Sequence, residues 1–236
     1  MRLSELFEYL KYGELSQLSI AGEEQGVINS VNQSRLISAI NLGMVELHKR
    51  FPIKMGLAIV QQMSALTTYH LDSRYAYTNP HNTDPSVFYK YIIDSELTPF
   101  TDDVLIIEAV SDENERFYTL NEDQDCDTII TTGALTINVP NPGLELALFV
   151  NYRAAPEKIS NTVTNPEDVY IEIPQQYLDP LLSFVAHRFF VSANASHPEA
   201  GLYFSKFEAA CKLIDNKGLR HKNGNMNTRL GCNGWL

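Results

Sequence analysis

The spacing of apolar residues changes twice along this chain, from helical to alternating and back to helical, and only a mixed architecture accommodates both changes. Near the N-terminus Leu3, Phe7 and Leu10 make a short stripe ending near Gly13, and Leu36, Ile40, Met44, Leu47 and Phe51 then step by four, four, three and four. Such stepping lays one apolar face along about 27 Å of helix. Pro52 stops it. From Ile53 onward the step is two. Leu135, Ile137 and Val139 alternate with Thr136 and Asn138, and after an Asn141-Pro142-Gly143 turn Leu144, Leu146, Leu148, Val150 and Tyr152 alternate with Glu145 and Asn151. The pattern predicts a hairpin with one buried face. Further strands are expected at 57–62, 65–71, 104–109 and 116–120, while 75–100, with three prolines, reads as a long excursion.

Residues 173–214 return to the helical step. Asp179 followed by Pro180 is a helix start, because the carboxylate can accept from a free backbone N–H and proline at the first position loses no hydrogen bond. Leu178, Leu182, Val185 and Phe189 make one stripe with Leu181 beside it. After a loop at Ser196, His197 and Pro198, a second helix steps through Tyr203, Phe207, Ala210 and Ile214, with Lys206, Glu208 and Lys212 on its polar side and Gly218 just past its end. Gly43, inside the long N-terminal helix, costs about 1 kcal/mol relative to alanine, which predicts close backbone packing there against this hairpin. The expected fold is α+β: a helical bundle from residues 1–52 and 157–218, an inserted antiparallel β-sandwich or barrel-like domain at 53–156, and an extended C-terminal arm at 219–236.

A chain of 236 residues with 44% hydrophobic content can bury a sizeable core. No run approaches the roughly 20 apolar residues needed to cross a bilayer. The first residues, Met1-Arg2-Leu3-Ser4-Glu5-Leu6, read as an amphipathic helix with acidic residues, so the expectation is a globular chain that carries no export signal of its own. Cys126, Cys211 and Cys232 lack paired spacing and read as reduced thiols. Charge is unevenly placed. Between Asp84 and Asp127 lie 13 acidic residues against Lys90 and Arg116, whereas the chain after Asp215 carries Lys217, Arg220, Lys222 and Arg229 with no Asp or Glu.

Positive support for catalysis is missing. Asp123, Asp125 and Asp127 alternate like the start of an EF-hand, but Thr128 stands where glycine is needed and Ala134 where the bidentate glutamate belongs. The histidines at 48, 70, 81, 187, 197 and 221 show no ligand spacing, and nucleophile elbows and glycine-rich phosphate loops are lacking. Neither an enzyme nor a metal or other cofactor is expected.

Three blocks resemble the head-to-tail adaptor proteins of short-tailed phages. Ile173, Pro174, Tyr177, Leu181, Val185, Arg188 and Phe190, followed by Tyr203 and Phe207, are similar to that family's C-terminal hairpin. Asn41, Leu42, Gly43, Glu46, Leu47, His48, Arg50, Phe51 and Pro52 resemble the close of its long helix. Val139-Pro140-Asn141-Pro142 leads through Leu144 to Val150 into Asn151-Tyr152-Arg153-Ala154-Ala155-Pro156 as the third block. The resemblance implies a homo-oligomeric, dodecameric ring in the virion neck, assembled in the host cytoplasm, between a portal protein and a tail or nozzle protein. DNA would pass through its lumen without specific binding, and no membrane would be involved.

Two candidate surfaces follow. The resemblance implies an arm that reaches into the portal, and Arg220, Lys222, Arg229, Trp235 and Leu236 combine a basic stretch with an apolar anchor, although a Gly- and Asn-rich composition of this kind also suits a disordered tail. Asp102, Asp103, Asp112, Glu113, Asp123 and Asp125 would form an acidic channel face that keeps phosphates from sticking, or simply a solvated face. Two other readings compete: another ring subunit of a tail tube or nozzle, and a host-surface binding module using Tyr75, Tyr77, Tyr89 and Tyr91.

Overall fold

Helix α1 (Leu3–Tyr12) and helix α2 (Ser30–Arg50) form where the three-to-four spacing places them. The computed structural model describes residues 1–16, 30–78, 89–122, 128–139, 146–193 and 198–218. Two compact units divide the chain, Met1–Ile53 together with Pro156–Leu236, and Lys54–Ala155. The fold is α+β.

In the first unit Leu36, Ile40, Met44, Leu47 and Phe51 are all buried, as the stepping requires. Helices α3 (Leu178–Ala193) and α4 (Pro198–Asn216) complete one core with them through Leu181, Val185, Phe190, Phe207 and Ile214. Helix α3 starts earlier than the Asp179-Pro180 signal suggests. A 3-10 turn at Gln175–Tyr177 runs directly into it, with the Tyr177 N–H donating to the Pro174 carbonyl, so Asp179 lies inside the first turn, where its charge still suits the helix dipole. Gly43 does pack closely. A Cβ added there would stand 2.7 Å from Leu181 Cδ1 and 3.1 Å from Phe184 Cδ1.

The polar side of α2 serves the chain returning from the second unit. Asn41 donates to the Ile159 carbonyl (2.8 Å) and accepts from its N–H (2.9 Å), while Gln33 donates to the Val163 carbonyl. A connection without regular structure thereby has its backbone satisfied. Arg50 ties α2 to α4 by an ion pair with Glu208 at 2.7 Å, and its guanidinium lies 4.7 Å from the Phe207 ring centroid. Gly218, at φ +62°, ends α4 as expected.

The second unit is one curled eight-stranded sheet: β1 (Met55–Gln61), β2 (Thr68–His70), β3 (Ile92–Ile93), β4 (Val104–Asp112), β5 (Phe117–Leu120), β6 (Thr128–Gly133), β7 (Thr136–Asn138) and β8 (Ala147–Ala154). Their order is β2-β7-β6-β5-β4-β8-β1-β3. Of the two expected forms, sandwich or barrel-like, a single curled sheet fits the second and not the first, and the parallel pairing of β5 with β6 departs from the expected antiparallel order. The predicted hairpin across Asn141 also fails. Strand β7 pairs with β2 and β6, while β8 lies between β1 and β4. Alternation still sets the faces, and Leu148, Val150, Tyr152 and Ala154 of β8 all enter the core. Gly56 sits directly opposite Tyr152, whose ring covers it so closely that a Cβ would overlap the ring.

The edges of this sheet approach each other through Tyr91. Its hydroxyl accepts from the His70 N–H on β2 (2.7 Å) and donates to the His70 carbonyl (3.1 Å). Its own backbone N–H donates to Tyr75, and its ring stacks on Tyr75 with centroids 4.8 Å apart.

Candidate functional site

The acidic residues of the sheet unit are used unevenly. Asp102 accepts from both the N–H and the hydroxyl of Ser73 at 2.7 Å. Asp103 accepts from the Tyr152 hydroxyl at 2.9 Å and from Lys54 at 3.3 Å. Glu113 accepts from the Ala147 N–H at 2.7 Å. Asp112 is 5% exposed and accepts from the N–H groups of Asn114 and Arg116 and from the Tyr118 hydroxyl. It anchors the β4–β5 turn and adds nothing to an exposed acidic face. Asp123 and Asp125 lie outside the described residues, as do Arg220, Lys222, Arg229, Trp235 and Leu236 of the arm.

Carboxylates with displaced pKa values move in one direction. The Arg74 guanidinium holds Asp72 below the usual range, and Arg50 does the same for Glu208. At Asp94 burial pushes upward, but donors from Thr78 and Phe100 outweigh it and leave the group low. None of these three is a proton donor near neutral pH, which removes them as general acids. Burial pushes the Cys211 thiol up to about 11, so it is no thiolate nucleophile. Among the described residues no group of three His, Cys, Asp or Glu is placed to hold a metal ion, and no helix is long and apolar enough to cross a membrane. His48 and His187 are held on backbone carbonyls of Met44 and Ala200 through their Nδ1 atoms. Of the four tyrosines weighed as a binding cluster, Tyr91 is buried and stacked on Tyr75, while Tyr77 and Tyr89 are about half exposed.

Two features fit interaction better than catalysis. The first is a groove of about 320 Å³ between α2 and α3, with Ala39 and Phe189 buried at its floor, Leu42 on its wall, and Arg35 and Arg188 exposed at its rim. Arg35 donates to the Ser192 hydroxyl at 3.0 Å and lies 5.4 Å from the Phe189 centroid. Arg188 has no hydrogen-bonding or ion-pair partner among the described residues.

The second is the turn at residues 95–98 of the sheet unit. Ser95 and Thr98 exchange backbone hydrogen bonds, their hydroxyls meet at 2.8 Å, and the Thr98 N–H also reaches the Ser95 hydroxyl at 3.1 Å. Asp94 clamps both flanks by accepting from Thr78 and from the Phe100 N–H. At the tip Leu97 is 94% exposed, beside the exposed Glu96. Sequence reading names Leu42 and Arg188 as motif positions without bringing them together as a groove, and it passes over the turn, since a leucine in a turn carries no spacing signal. The nearest signal is the Asp94-Ser95…Thr98-Pro99 frame, a turn-forming composition with an apolar residue inside it.

Comparison with models of known protein families finds no match, and comparison with curated proteins finds none either.

Proposed function

We propose that this chain is a structural virion protein, the subunit of a head-to-tail adaptor ring between the portal and the tail or nozzle of a short-tailed phage. One observation carries the reading. Residues from two of the motif blocks, far apart in sequence, meet in one core: Phe51 lies 5.0 Å from Tyr177 between ring centroids, Gly43 packs on Leu181, and Arg50 lies over Phe207. Motif residues that serve one another in this way support a shared architecture. In this reading the four helices act as the bundle that faces neighbouring subunits and the portal, the sheet unit faces the tail, and residues 219–236 form the arm that enters the portal.

The sheet unit, residues 54–155, holds 15 acidic and five basic residues. That balance suits a wall past which DNA must slide, because phosphate affinity depends on lysine and arginine contacts. A ring also multiplies weak contacts, since each copy presents the same patch.

The test mixes the purified protein with candidate portal rings and measures mass and image class averages beside the protein alone. A stoichiometric ring capping the portal is the expected result, and deletion of 224–236 abolishes capping while leaving the circular dichroism spectrum unchanged. A protein that binds none of the portals overturns the reading.

A further inference from the structure

We infer that the Glu96–Leu97 tip of one copy seats in the α2–α3 groove of a neighbouring copy, a subunit contact in addition to those the helices make; this rests on the ring reading above.

The tip is built as an anchor. A leucine that is 94% exposed leaves nearly its whole side chain in water, which is unfavourable unless something covers it. Its turn is also ordered before any partner arrives. The Ser95–Thr98 hydrogen bonds and the Asp94 clamp fix the backbone, so docking orders little beyond the side chain itself. A pre-ordered apolar projection gains from burial of its side chain and loses little entropy on docking.

The groove is complementary in shape class and in charge. Its floor of Ala39 and Phe189 with Leu42 at the wall offers an apolar seat, and about 320 Å³ has room for a leucine side chain with part of the turn. Arg188 at the rim lacks a partner among the described residues, and Glu96, next to the leucine, lacks one as well. A glutamate beside an apolar knob meets an arginine beside an apolar hole. The tip belongs to the unit with 15 acidic and five basic residues, whereas the unit of the groove holds 14 acidic and 13 basic, so the charge match lies in the local pair of Glu96 and Arg188. Opposite charges would bring tip and groove into register and disfavour tip-to-tip pairing.

Tip and groove are different surfaces, so the contact is heterologous. Contacts of this kind propagate head to tail and close into rings when the rotation allows. A second copy is therefore the occupant that both surfaces specify, and every copy carries one of each.

Sedimentation and native mass measurements on the full chain, from micromolar to millimolar concentration, test this with wild type, Leu97→Asp and Arg188→Glu. Both substitutions lie at exposed positions, and a thermal melt checks that each variant folds. Wild type is expected to self-associate, and each variant to do so at least about tenfold more weakly, in line with loss of one buried leucine or one close charge pair. Mixing the two variants should give one-to-one pairs and nothing longer, because each pair has one intact tip in one intact groove. The reversed pair Glu96→Lys with Arg188→Glu in a single chain should regain association. Variants that associate as wild type does, or a wild type monomeric up to millimolar concentration, overturn the contact. Portal capping separates this from the ring itself: if Leu97→Asp caps as well as wild type, the ring stands and this contact falls, whereas a wild type that never caps removes the ring.

Discussion

The helical unit and the sheet unit put their carboxylates to different main uses. In the helices, charged side chains link one element to another, as when Arg50 of α2 joins Glu208 and the Phe207 ring of α4. In the sheet unit, carboxylates accept backbone N–H groups: Asp94 and Asp112 close turns, and Glu113 takes the first N–H of β8. Nine acidic residues between Asp84 and Asp127 are described; Asp94, Asp102, Asp103, Glu108, Asp112 and Glu113 are engaged, and Glu96, Glu115 and Glu122 are exposed without partners among the described residues. The difference has a physical origin. Helices satisfy their own backbones, whereas turns between strands leave N–H groups that short acidic side chains can reach.

The largest test of this contrast removes one core side chain from each unit. Phe207→Ala should cost about 3–5 kcal/mol and Leu148→Ala about 2–5 kcal/mol. Hydrogen exchange should show protection lost in the unit that carries each change and retained in the other; loss in both would mean that the units unfold as one. The two close-packed glycines come next. Gly43→Val and Gly56→Ala should each cost about 1–3 kcal/mol in denaturant unfolding, since Leu181 and Phe184 crowd one and the Tyr152 ring, held by Asp103, crowds the other. An unchanged midpoint for either would show that the neighbours yield easily.

Asp112→Ala strips a buried acceptor from two backbone N–H groups and one hydroxyl, and about 1–3 kcal/mol of destabilisation is expected by the same assay. The corresponding change in the helical unit is milder. Glu208→Gln should cost at most about 1 kcal/mol at neutral pH, because the pair with Arg50 is partly exposed. Its sign with pH is fixed by the low folded-state pKa of Glu208. The contribution is fully present above the unfolded glutamate range and is lost as pH falls through the lower folded value, so unfolding curves of wild type and variant should converge in acid. A gap that widens in acid would contradict the ion-pair assignment.

Periodicity made the core faces legible. Every member of the Leu36 to Phe51 series is buried, and Gly43 finds its neighbour in the C-terminal hairpin. Periodicity says which face a residue occupies and nothing about which strand lies beside it. For that reason the strands around Ile137 and Val150 have the right faces and the wrong partners. Strand β6 escaped notice because its consecutive Thr128, Ile129 and Ile130 blur the alternation, and β3 is only two residues long inside the excursion. Among the candidate site residues, the charge count weighted all carboxylates equally, although Asp112 is buried by its donors and Glu96 has none. Side-chain partners of that kind are tertiary facts, and spacing along the chain does not encode them.

The insertion of the sheet unit also sets a timetable for synthesis. Gly43 on α2 meets Leu181 on α3, and those positions are 138 residues apart, so at a ribosomal rate of about 5–20 residues per second the apolar face of α2 waits on the order of 10 s for its partner. Every strand emerges during that interval, which lets the sheet unit fold on the ribosome while the helix is still uncovered. Nascent chains on one messenger then carry the same bare helix face at the same time. Lower growth temperature or a holdase that shields residues 36–51 should therefore raise the yield of folded protein.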